Sequence, residues 1–144
     1  IIHFELLNRN ETVTADLYVQ QLQRVHQSLL EKRPALVNRK NVVLLHDNAR
    51  PHTARVTQEN ILELGWSVLP HPPYSPDLAP SDYHLFRSLQ NSLMGTNFSN
   101  EDQVREFVEN FFTSKPAEFY AKGIEELPDK WQQVIANDGE YIID

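Results

Sequence analysis

Five prolines fall between Pro70 and Pro80, and no other feature limits the fold of this chain so firmly. Each proline fixes φ and removes a backbone donor, so this stretch is barred from helix interiors and central strands and reads as an extended, stiff loop. On either side of it the hydrophobic pattern has a different character.

Before the loop, short strands alternate with helices. Ile2, Phe4 and Leu6 alternate with His3, Glu5 and Leu7, the pattern of a half-buried strand over residues 1–7. Thr14 is placed to cap a helix with Asp16 in its first turn. Ala15, Tyr18, Leu22, Val25 and Leu29 then recur at helical steps as far as Pro34. Val42-Val43-Leu44-Leu45 is a continuous apolar run, the pattern of a strand buried on both faces. Residues 53–64 put Ala54, Thr57, Ile61 and Leu64 on one helix face and stop at Gly65, and Trp66 to Leu69 is a brief third strand.

After the loop everything is helical. Leu85, Leu89 and Leu93 mark a helix from about Ser81 to Gly95. Ser99 and Asp102 resemble a capping box ahead of Val104, Phe107, Val108 and Phe111. Pro116 and Pro128 each open a further helix, and Asp138-Gly139 turns the chain into a short terminal segment, Tyr141-Ile142-Ile143. Three strands with interleaved helices, followed by a helical C-terminal half, give an α/β fold. No linker divides it, so residues 1–144 read as a single domain.

Composition narrows the function classes. Cysteine is absent, which excludes disulfides, zinc thiolates and a cysteine nucleophile. No apolar run approaches the length of a bilayer span, so no membrane role is expected. Twenty acids against thirteen bases give a net charge of −7, without the basic footprint of a general nucleic-acid binder. Metal-dependent chemistry on phosphates stays compatible with that charge. A P-loop, a nucleophile elbow and a dinucleotide-binding glycine pattern are all missing.

Two carboxylates stand out by position. Asp47 lies just past the apolar run 42–45, after His46, at the strand end where open α/β sheets collect ligands, although Asp47-Asn48 also suits a plain turn or helix cap. Asp82 falls in the first turn of the helix after the loop, where the helix dipole alone would stabilise it. Asp77 reads as a turn residue. Together, Asp47 and Asp82 could share hard divalent cations through oxygen ligands. His46, His52, His71 and His84 flank the same segments, but their spacing matches no zinc pattern, and they suit orienting carboxylates or contacting phosphate better than holding zinc.

His46-Asp47-Asn48-Ala49-Arg50-Pro51-His52-Thr53-Ala54, followed by Tyr74-Ser75-Pro76-Asp77-Leu78-Ala79-Pro80-Ser81-Asp82-Tyr83-His84-Leu85-Phe86, resembles the catalytic domain of mariner transposases in the Tc1/mariner superfamily. The 34 residues between Asp47 and Asp82 equal the family's spacing between its second and third catalytic aspartates. The likeness runs over essentially the whole chain. It implies a ribonuclease H-like, retroviral integrase-like core and a three-carboxylate site for two Mg²⁺ or Mn²⁺ ions that cuts and rejoins DNA. Asp47 and Asp82 are then catalytic metal ligands, with Asn48, His52 and His84 in support. The implied setting is the nucleus, with transposon ends and target DNA as partners.

The resemblance also carries departures. The family's first catalytic aspartate has no counterpart in residues 1–46, where the only aspartate is Asp16. The helix-turn-helix region that reads transposon ends has none either. In the family's sheet order, 3-2-1-4-5, residues 1–7 correspond to strand 3, and the runs at 42–45 and 66–69 to strands 4 and 5. If the chain begins at Ile1, the first two strands are lacking, and we expect a homodimer through residues 1–7 or 42–46, with strand exchange as the route. A fragment with two of three carboxylates is expected to be inactive by itself. A non-catalytic assembly or DNA-docking module is the alternative from another class, and a His/Asp zinc hydrolase is a third.

Overall fold

The structure is a computed structural model, and it describes residues 1–139. Its contacts group the chain into two compact units, one ending at Tyr74 and the other beginning at Ser75, inside the proline-rich stretch.

In the first unit, helix α1 (Ala15–Lys32) starts where Thr14 Oγ1 accepts from the Leu17 amide at 3.2 Å. It ends before Pro34, which opens the short helix α2 (Pro34–Asn38). Strand β1 (Val43–Leu44) runs parallel to β2 (Ser67–Val68), with Val43 opposite Ser67 and Leu44 opposite Val68. Between them lie α3 (Arg50–Thr53) and α4 (Arg55–Leu64). Helix α4 stops at Gly65, whose φ of +75° favours a residue without Cβ. Leu22 and Leu29 of α1, Val42, Ile61 of α4 and Trp66 form the core.

Two expectations fail here. Residues 1–7 form no strand: the segment lies along α1, with Ile2 against the core, the Ile2 carbonyl accepting from Lys32 Nζ at 2.8 Å, and Glu5 paired with Arg24. Alternation specifies a face to bury, and a helix can cover that face without lending the amides a strand needs. Nor is the run 42–45 buried on both sides. Val42 is buried while Val43 is 60% exposed, because this two-stranded pair is covered on one face.

In the second unit, the proline-rich stretch contains a 3₁₀ turn (Pro76–Leu78) that buries Leu78. Proline is tolerated in a helical first turn, where its missing N–H is no loss. Residues Ser81–Phe86 make a π-helical turn that continues as α5 (Arg87–Leu93). Then come α6 (Glu101–Ser114), α7 (Ala117–Glu125) and α8 (Leu127–Ala136). The cap of α6 differs from the expected one: Asn100 Oδ1 accepts from the Gln103 amide at 2.9 Å, and Gln103 Oε1 accepts from the Ser99 amide at 2.8 Å. Asn caps as well as Ser, and glutamine at the third position returns the bond. The expected terminal segment at 141–143 lies outside the described residues.

Candidate functional site

The loop leaving β1 and the loop leaving β2 are tied together by Asn48 Nδ2 donating to the His71 carbonyl at 2.8 Å. Between them opens a cleft of about 580 Å³ in the first unit, with His46, Asp47, Asn48 and His52 on one side and Trp66 through His71 on the other. This is the carboxyl end of parallel strands, where α/β sheets place ligands.

Asp47 sits at the edge of this cleft with its side chain 55% exposed. Its Oδ1 accepts from the Ala49 amide at 3.0 Å and lies 2.6 Å from His52 Nδ1. The His52 contact is short, but the ring N–H does not point along it. Partial burial works against the charged carboxylate, but the Ala49 amide, His52 and His71 outweigh it and hold the pKa below the ordinary aspartate value. Asp47 is therefore ionised at neutral pH.

Behind Asp47 stand three rings. His46 and His52 stack with centroids 4.9 Å apart and planes within 4°, and Tyr18 of α1 packs on His52 at 4.2 Å. A hydrogen bond of 2.8 Å joins the Tyr18 hydroxyl to His46 Nδ1. Burial lowers the pKa of His46, with His52 and His71 adding to the effect and Asp47 opposing it. Burial also pushes Tyr18 up to about 12, and the charge of Asp47 adds to that. Tyr18 was legible only as a core position of α1. The signal available was that a tyrosine on a buried helix face must find a partner for its hydroxyl.

Helix α3, which carries His52, is fixed by Thr57, a fully buried residue whose hydroxyl donates to the Pro51 carbonyl.

The other sequence candidates belong to the second unit. Asp82 lies on the π-helical turn, its amide donating to the Ala79 carbonyl at 2.9 Å. Such turns are frequent at functional sites. His84 turns toward α7, where Nε2 donates to the Phe119 carbonyl at 2.6 Å and the ring packs on Phe119 at 4.4 Å.

Asp47 is a hard, ionised oxygen donor and suits one position around Mg²⁺ or Mn²⁺. Among the described residues, no group of three His, Asp or Glu side chains is placed to hold a metal ion. No helix among them is long and apolar enough to cross a membrane.

Comparisons place this geometry among known proteins. A family model described as "Transposase (partial DDE domain)" matches residues 1–39. The Mariner Mos1 transposase of Drosophila mauritiana is 45% identical over 143 residues, covering 99% of this chain and 41% of that protein. The Homo sapiens protein named histone-lysine N-methyltransferase SETMAR is 45% identical over 141 residues, covering 98% of this chain and 21% of that protein. The chain thus spans well under half the length of these curated relatives. A structure of the Mos1 transposase catalytic domain and Raltegravir with Mn superposes with a TM-score of 0.95 at 44% identity, covering 99% of this chain and 72% of that one. A Mos1 transposase paired-end complex with left transposon end gives a TM-score of 0.93 at 44% identity, covering 99% and 41%.

Proposed function

Because this chain belongs to the mariner transposases, we propose that it is a catalytic-domain segment with a ribonuclease H-like core, whose parent cleaves DNA phosphodiesters and transfers strands in cut-and-paste transposition. The observation that carries this reading is Asp47: an ionised carboxylate beside a cleft at the carboxyl end of a parallel strand, in a motif that matches the family.

Asp47 and Asp82 are the second and third catalytic aspartates and the ligands of Mg²⁺ or Mn²⁺, as the Mn in the related catalytic-domain structure supports. A divalent ion bound there supplies positive charge at the phosphodiester oxygens and acidifies an attacking water or hydroxyl. The chain's own residues hold the carboxylates in place. The Ala49 amide and His52 fix Asp47 Oδ1, and Asn48 ties the two loops at the cleft. His84 supports the Asp82 turn from within the second unit. Transposon ends and target DNA are the partners, as a relative's complex with a transposon end supports. The working form is a homodimer, and it acts in the nucleus. With two of the family's three carboxylates, residues 1–144 alone do not cleave DNA.

Calorimetric titration with Mn²⁺ tests the metal assignment. Asp47→Ala and Asp82→Ala are each expected to weaken binding at least tenfold. Wild-type affinity in both variants overturns the assignment and leaves a DNA-docking module as the better reading.

A further inference from the structure

The motif around Asp47 accounts for His46 and His52 but not for Tyr18, which comes from another helix and is tied to both rings. Asp47 Oδ1 is engaged within the protein by the Ala49 amide and His52 Nδ1. Oδ2 makes no such contact among the described residues, so it is the oxygen left for a ligand. Whether Oδ2 keeps that orientation depends on His52 staying put, and the His52 ring is confined by His46 on one side and Tyr18 on another. His46 is in turn anchored through Nδ1 by the Tyr18 hydroxyl. One side chain on α1 therefore restrains both imidazoles.

We propose that Tyr18 is a positioning residue for the metal site: its hydroxyl anchors His46 and its ring walls in His52, so that Asp47 keeps Oδ1 in the protein and presents Oδ2 to a divalent cation. This rests on the reading of Asp47 as a metal ligand. Residues that orient a ligand from behind typically change metal affinity by about 10–100-fold when removed. Tyr18 touches neither cation nor substrate. Its effect reaches the metal through two rings and a carboxylate.

The test uses the 144-residue chain with Mn²⁺ as the probe for calorimetry, and ¹⁵N signals of the imidazoles recorded without metal. Tyr18→Phe keeps the ring and deletes the hydroxyl, so the fold survives. The expected result is a displaced His46 Nδ1 signal together with roughly tenfold weaker Mn²⁺ binding. Tyr18→Ala also removes the wall against His52 and is expected to weaken binding further, toward Asp47→Asn. Tyr120→Phe deletes a hydroxyl in the second unit that donates to the Phe112 carbonyl, and is expected to leave both readouts unchanged. If Tyr18→Phe moves the His46 signal while Mn²⁺ affinity stays at the wild-type value, and Asp47→Asn still abolishes binding, the positioning role is wrong and the metal ligand stands. If Asp47→Asn binds Mn²⁺ as well as wild type, the metal reading itself fails, and the proposal with it.

Discussion

Both units hold half-buried tyrosines and histidines, and they use them in opposite ways. In the second unit the polar atoms end on the main chain: Tyr83 donates to the Gly123 carbonyl, His84 to that of Phe119 and Tyr120 to that of Phe112. Those bonds join helices and close the packing between them. In the first unit Tyr18, His46 and His52 engage one another and a half-exposed carboxylate at the mouth of a cleft. A side chain's chemistry is therefore decided by whether its partner is a carbonyl that closes packing or an acid that still faces solvent. Residue type alone does not separate His52 from His84.

If the units differ in polar chemistry but not in how their cores hold, truncating either core should cost a similar amount. Ile61 and Phe111 are 4% and 7% exposed. Ile61→Ala is expected to destabilise the first unit by about 2–5 kcal/mol, and Phe111→Ala the second by about 3–5 kcal/mol. The two tryptophans separate the readings, since Trp66 lies in the first unit and Trp131 in the second. Urea unfolding followed by the fluorescence of one tryptophan, with the other replaced by phenylalanine, assigns each loss. A loss below 1 kcal/mol at either site would mean that the unit concerned lacks a close-packed core.

A smaller effect sharpens the contrast in histidine use. A methyl group at Gly123 would meet the His84 ring, with Cγ at 2.8 Å and Cβ at 3.2 Å. Gly123→Ala must therefore push His84 off the Phe119 carbonyl, at a cost of about 1–3 kcal/mol typical of overpacking. Trp131 fluorescence during urea unfolding measures it. An unchanged midpoint would show that the bond from His84 to α7 does not hold that unit together.

What could be read from the sequence follows the same division. Helices were legible because their signals are local: Thr14 as a cap, the stripe from Tyr18 to Leu29, Gly65 as a stop, and Pro116 and Pro128 as starts. Strands were less so, because pairing is decided by a distant partner. The alternation at 1–7 found α1 to lie against, while Trp66 to Leu69 found β1. Within the site, Asp47 and its neighbours were marked by a motif and by their place after an apolar run. Tyr18 was not, because it stands 28 positions before His46 and meets it only in the folded unit.

The smallest of these effects bears on the tyrosines. Tyr18 is pushed up to about 12 by burial, with Asp47 adding, and Tyr83 to about 12 by burial, with Glu126 adding. In the unfolded chain both would ionise near 10. Between these values the folded state keeps protons that the unfolded state gives up, so this contribution is fully present below pH 10 and is lost as pH rises toward 12. At pH 11 it amounts to about 1 kcal/mol or less per residue once solvent screening is allowed for. Urea unfolding at pH 9 and 11, with absorbance at about 295 nm following phenolate formation, is expected to show less alkaline destabilisation in Tyr18→Phe and in Tyr83→Phe than in the parent. Only Tyr18→Phe should also move the His46 imidazole signal, since Tyr83 ends on a carbonyl. If both variants moved it, or neither did, the division between main-chain and acid-facing partners would not hold for the tyrosines.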